Sequence, residues 1–197
     1  KHALLGMALA AVGLASFWAV GVATQGLAKE MLTASGAAPE VASQKAKFAY
    51  GIVQTAGAGV GLLSFGPICA RWGRRRAFIF GHIGAFLIVP ITCYLPQSYN
   101  QLLIVLPMFG FFTLCMHAGY AVYFPELFPN HLRATGTSFC FNVGRIVAAP
   151  MLILSGMVKT LSTLDIRQAL CILATTFLLG LLVIAFLPET KGKELPE

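Results

Sequence analysis

Gly66-Pro67-Ile68-Cys69-Ala70-Arg71-Trp72-Gly73-Arg74-Arg75-Arg76 places four arginines within six residues, between two apolar runs each long enough to cross a bilayer. Lys and Arg accumulate in the short loops on the cytoplasmic side of membrane proteins. The stretch is therefore read as an inside loop that orients every span before and after it.

Composition sets the class. Hydrophobic residues make up 57% of the chain and charged residues 11%, and mean hydropathy is +0.79. A soluble domain carries roughly 25% charged residues. A membrane span needs about 20 mostly apolar residues, and six such runs are present, at residues 3–24, 48–69, 77–95, 102–124, 135–158 and 169–187. All are expected to be helices, because an open strand edge in lipid leaves backbone groups unpaired. The expected fold is thus an all-α integral membrane domain of six transmembrane helices. Its connections are short except for a Gly/Ala/Ser-rich loop over residues 25–47.

With the arginine loop inside, both ends of the segment are expected to be cytoplasmic as well, in a plasma or bacterial inner membrane. The inner side then holds Lys1, Arg71, Arg74, Arg75, Arg76, Arg133, Lys191 and Lys193, and the outer side Lys29, Lys45, Lys47, Lys159 and Arg167. The net charge of +7 accordingly reflects orientation and attraction to the anionic lipid bilayer, with no nucleic acid as partner. The five cysteines fall in or beside apolar runs without CxxC spacing, and read as reduced packing residues. No cofactor or metal is implied. No GxSxG, HExxH or phosphate-binding loop is present either, so an enzyme is not expected. The chain lacks an initiating Met, which fits a piece of something longer.

Three motifs carry a family resemblance. The arginine stretch resembles the GxxxDRxGRRx loop of the major facilitator superfamily. Pro125-Glu126-Leu127-Phe128-Pro129, continuing to Arg133 and Gly136, is similar to the junction between the tenth and eleventh helices of its sugar-porter-like and organic-ion branches. Pro188-Glu189-Thr190-Lys191-Gly192 is similar to the PETKG that follows their twelfth helix. The resemblance covers the whole chain. It implies the C-terminal half of a twelve-helix secondary transporter, helices seven to twelve, with the N-terminal half as its missing partner.

Departures narrow the substrate. Ala70 stands where the family usually has an acid, so a carboxylate that would pair with neighbouring charges or a helix end is expected to be absent. The paired glutamines and Gly-Pro-x-x-Trp of sugar porters are replaced by Leu14-Ala15-Ser16-Phe17-Trp18 and Met116-His117-Ala118-Gly119-Tyr120. The run Asn142 to Pro150 looks more like helix eleven of organic-ion and carboxylate or sialate proton symporters. The resemblance thus implies a small organic anion, with a neutral sugar or polyol as the alternative. A membrane-embedded sensor or assembly subunit on a transporter fold is the reading from another class.

Spacing supplies candidate site residues. Ser138, Asn142, Arg145 and Ala149 follow i, i+4, i+7, i+11 and share a helix face. Arg145 lies roughly 15 Å into the hydrocarbon by a 1.5 Å rise per residue. A charge at that depth faces a cavity or a partner, so Arg145 is either a carboxylate clamp, an ion-pair partner of an acid in the missing half, or a vestibule residue. Thr113, His117, Tyr120 and Phe124 form a second stripe. His117 either binds substrate or titrates near neutral pH, or else bonds to a neighbouring helix. Gln54 and Trp18 either line the cavity or hold helices together. Gly57 and Gly61 form a GxxxG pair that reads as close helix packing.

No Asp or Glu lies inside an expected span. If protons are the coupling ion, their acid lies in the missing half unless His117 serves. By resemblance, Gly66, Arg71, Gly73, Arg74, Arg75, Glu126, Arg133 and Glu189 form a gating charge network on the cytoplasmic side.

Overall fold

The computed structural model describes residues 2–161 and 165–197; Lys1 and the side chain of Lys159, both counted in the charge asymmetry, lie outside the described residues. The described chain is helical throughout, with no strand. Six helices run in sequence. They are α1 (His2–Ala34), α2 (Pro39–Trp72), α3 (Arg74–Tyr94), α4 (Tyr99–Leu127, its last turn tightened to a 3-10 helix), α5 (Arg133–Leu161) and α6 (Ile166–Phe186). All but α5 are long and apolar enough to cross a membrane. The 29 residues of α5 span about 43 Å at 1.5 Å per residue, so its length suffices too.

Two boundaries differ from the sequence expectation. Residues 25–47 are mostly helix, since α1 continues to Ala34 and α2 begins at Pro39. The small and polar residues there still carry a helical stripe. Leu27, Ala28 and Leu32 on one side and Ala42 and Ala46 on the other are buried, while Lys29, Glu30 and Lys47 point out. The arginine stretch is likewise no open loop: helix flanks it on both sides and the turn is Gly73 alone. Gly73 has φ of 91°, a left-handed conformation that side-chain-bearing residues rarely adopt. Gly66 sits inside α2 with open space beside it, outside the charge network in which it was expected.

Packing follows small residues. A Cβ on Gly57 would meet the Pro107 carbonyl oxygen of α4, one on Gly61 would meet that of Phe111, and one on Gly110 would meet that of Gln54. Backbone therefore touches backbone along the α2–α4 crossing, as the GxxxG spacing implied. Gly144 of α5 rests on Ala10 of α1 in the same way. The Ser16 and Thr176 hydroxyls are 2.7 Å apart and join α1 to α6. α3 packs between α4 and α6. An aromatic column of Phe78, Tyr120 and Phe124 stacks through the centre.

The outward surface is apolar. Leu63 is 82% exposed and Ile104 is 75% exposed. Such side chains on a helix exterior are at home in lipid, where hydrocarbon replaces the protein neighbours they lack.

α2 contains a π-helical stretch, Ala49–Gln54. The Thr55 hydroxyl donates to the Tyr50 carbonyl five residues back, at 3.0 Å. The extra residue rotates the helix, so that Gln54 is buried while Gly51 and Ile52 are exposed.

Candidate functional site

An open groove of about 680 Å³ lies between the second half of α4 and the first half of α5. Its aromatic walls come from Tyr120, Phe124 and Phe141, and its polar rim from Asn130, Arg133, Ser138 and Asn142. No acidic residue lines it. His117 and Thr137 also face the groove, and both His117 ring nitrogens and the Thr137 hydroxyl are shut off from solvent without a hydrogen-bond partner.

Of the α5 candidates, Ser138 and Asn142 line the groove, one helical turn apart. Asn142 Nδ2 donates to the Ser138 carbonyl at 2.9 Å and lies 3.2 Å from its hydroxyl. Arg145 is exposed beside the groove, its guanidinium 5.9 Å from the centre of the Phe141 ring. Arg145 itself is not among the residues that line the groove.

On α4 the stripe splits. Thr113 is buried and spends its hydroxyl on the Phe109 carbonyl at 2.7 Å. Tyr120 presents ring surface to the groove but is 2% exposed, and its hydroxyl donates to the Leu9 carbonyl at 3.3 Å. His117 does not bond to a neighbouring helix as one reading expected; it meets the edge of Phe17 at 5.1 Å between ring centres.

Trp18 and Gln54 lie elsewhere, in a smaller recess of about 190 Å³ shared with Phe17, Gln25 and Tyr50. Phe17 lies between this recess and His117. The structure thus brings Trp18 with Gln54, and His117 and Tyr120 with Asn142, on either side of one phenylalanine.

At the end of the bundle near Gly73 the expected charge network is simpler than its list of residues. Among the described residues the ion pair is Arg74 with Glu126, at 2.5 Å. The Arg74 side chain is 17% exposed and that of Glu126 13%. Arg74 Nε also reaches both carboxylate oxygens, at 3.0 and 3.2 Å, which makes the contact two-pronged. Thr190 donates its hydroxyl to Glu126 at 2.5 Å.

Glu189 is not paired with a guanidinium. Its carboxylate accepts the backbone N–H of Arg74 at 2.9 Å and of Arg75 at 3.0 Å, and so caps the start of α3. The carboxylate expected to be missing because of Ala70 is thus supplied to the helix end by the tail. Burial pushes the Glu189 carboxyl up, but the N–H groups of Arg74, Lys191, Arg75 and Thr190 together hold it below its ordinary value.

The other cations bond to carbonyls. Arg133 reaches Pro125 O at 3.2 Å and Pro196 O at 3.1 Å, and Arg75 reaches Ala185 O at 3.2 Å. Arg71 is exposed and offers its carbonyl to Lys191 Nζ at 2.7 Å. Tyr123, which the motifs did not mark, ties down the tail by donating to Pro188 O at 2.5 Å.

Thr137 was also not singled out, although its spacing to Phe141 and Arg145 is i, i+4, i+8. That regularity was the available signal.

The profile of the family described as "Sugar (and other) transporter" matches residues 10–197. The chain belongs to that family, within the major facilitator superfamily. It is 30% identical over 145 residues to a Haemophilus influenzae protein named "Putative metabolite transport protein", covering 73% of this chain and 35% of that one. A Cupriavidus pinatubonensis protein named "Probable 4-methylmuconolactone transporter" is 27% identical over 141 residues, covering 66% of this chain and 32% of its own length. The Acinetobacter baylyi "Cis,cis-muconate transport protein" is 32% identical over 90 residues, covering 46% and 22%. The alignments thus cover about a third or less of each relative's length. This member of the family is a multi-pass membrane protein.

Proposed function

We propose that the complete protein is a secondary transporter of a small organic anion carrying a carboxylate, and that this chain is its C-terminal half, helices seven to twelve. The two halves rock around a site near the membrane midplane. The groove between α4 and α5 faces the other half and contributes this side of the site. The charge cluster at Gly73, Glu126 and Glu189 lies on the cytoplasmic side, as do both ends of the segment.

One observation carries the reading. The α4–α5 groove is walled by aromatic rings, has no carboxylate among its lining residues, and has Arg133 on its rim, with exposed Arg145 one turn beyond Phe141 on the same helix. Apolar walls with a few placed polar groups are what a small-molecule site needs. Positive charge without acids selects for an anion. The muconate and methylmuconolactone names of two relatives support unsaturated acids or their lactones as first candidates.

Protons are proposed as the coupling ion. Since Asp and Glu in this chain lie at the bundle ends and tail, the relay acid belongs to the other half, with His117 as the titratable group on this side.

Uptake by liposomes containing the full-length protein tests the function. An inward proton gradient should drive accumulation of cis,cis-muconate, while glucose neither accumulates nor competes. Glucose accumulation without muconate uptake would replace the anion with the sugar reading. Binding of either without any flux would favour the sensor.

A further inference from the structure

Helical threonines in this chain usually spend the hydroxyl on their own backbone. Thr24, Thr33, Thr92 and Thr113 each donate to the carbonyl four residues back, a bond that hides the group from lipid. Thr137 does not. The Thr137 side chain lines the α4–α5 groove, and its hydroxyl lies just beneath the groove surface without a partner. His117 on the facing helix is in the same condition at both ring nitrogens. An unmet buried hydrogen-bonding group is destabilising, and here groups on two helices leave that cost open beside one groove.

The other polar side chains of the groove are engaged. Asn142 donates its amide to Ser138, Tyr120 its hydroxyl to Leu9, and Arg133 its guanidinium to the Pro125 and Pro196 carbonyls. Among the solvent-shielded polar groups of the groove residues, those without a partner are the Thr137 hydroxyl and the His117 ring nitrogens, one of which carries N–H in a neutral imidazole. A carboxylate has two oxygens and several lone pairs, and can accept from both helices at once. Arg133 supplies favourable charge at the rim without releasing its own backbone bonds.

We infer that Thr137 and His117 jointly form the hydrogen-bonding head of the substrate site, holding one carboxylate of the anion across the α4–α5 gap. The inference rests on the groove being the substrate site, and adds the atoms that read the substrate. Arg145, one turn beyond Phe141 on the same helix, then biases charge or meets a second anionic group.

The test is cis,cis-muconate binding to purified full-length protein, with transport KM measured in parallel. Thr137→Val keeps the side chain's shape and removes only the hydroxyl; it should weaken binding about tenfold or more, the scale of one hydrogen bond to a charged group. Thr137→Ser restores the hydroxyl and should recover wild-type affinity, which a merely space-filling role would not produce. Thr137→Ala replaces valine if the latter misfolds, with the same expectation. His117→Asn should weaken binding as well, and the uncharged dimethyl ester of cis,cis-muconate should be much less sensitive than the dianion to loss of the threonine hydroxyl. Wild-type affinity in folded Thr137→Val or Thr137→Ala would overturn the inference. A wild-type protein that neither binds nor moves any acid would instead bring down the anion-transport reading itself.

Discussion

Glu189 Oε1 accepts the backbone N–H of Arg74 at 2.9 Å, so the tail after the last helix caps the first turn of α3. The partner of the arginine stretch at this point is its backbone, and the arginine side chain is left free for Glu126. One residue, Arg74, thereby joins three parts of the chain, with Gly73 as the only turn able to bring them together. A side chain at position 73 would clash with the Glu189 carboxylate and would also be forced to positive φ.

The cap predicts a pH-dependent stability. The Glu189 carboxyl in the fold lies below its ordinary value of 4.5, so its stabilisation is fully present above that value and is lost as pH falls through the folded one. Thermal unfolding of full-length wild type and Glu189→Gln should therefore differ at neutral pH, with the gap closing below about 4.5. A gap that persists unchanged at low pH would mean that the glutamine perturbs the tail by some route other than charge.

The Arg74–Glu126 pair should behave as a partly shielded ion pair. Such a contact lies between exposed pairs at about 0–1 kcal/mol and buried ones whose breakage costs about 3–5 kcal/mol. Glu126→Gln and Arg74→Gln should each slow turnover of the full-length transporter at equal membrane abundance, and the double variant should be no slower than the worse single one. Additive losses would show that the two residues act separately.

The α2–α4 crossing should tolerate no side chain at its contact glycines. Gly57→Ala and Gly61→Ala should each destabilise the full-length protein by about 1–3 kcal/mol, the usual cost of overpacking. Gly59→Ala, which has open space around it, should be neutral or slightly stabilising through helix propensity. Unfolding in graded denaturing detergent distinguishes them.

Arg145 should govern charge preference. On purified full-length protein, Arg145→Ala should weaken anion binding by about 1.5–3 kcal/mol. Arg145→Lys should fail to restore it if the contact is two-pronged. Wild-type affinity in both variants would leave Arg145 as a packing or gating residue.

The class and the helical character of the spans were legible in the sequence for identifiable reasons. Long apolar runs admit little besides helices in lipid, and the spacing of Ser138, Asn142 and Arg145 fixes a shared face whatever the neighbours do. Gly57 and Gly61 announced the α2–α4 crossing because only missing side chains allow backbone contact there. Helical residues 25–34 and 39–47 were hidden because their stripe is short and built from Ala and Leu among polar residues. The cap role of Glu189 was hidden because it depends on how the tail folds back over 115 positions, as the Arg74 hydrogen bond records. Thr137 was obscured by its own type, since a helical threonine ordinarily bonds to its backbone, and only the fold reveals that this one does not.

The central claim is that the α4–α5 groove is where the anion binds, and filling it tests that most directly. Ala121 lines the groove and is exposed, so Ala121→Trp should occupy the space without disturbing the buried core. Titration of cis,cis-muconate into purified, monodisperse full-length Ala121→Trp should give no measurable binding, while wild type binds. Wild-type affinity in the filled variant would contradict the account and move the site elsewhere, with the Trp18–Gln54 recess the first place to look.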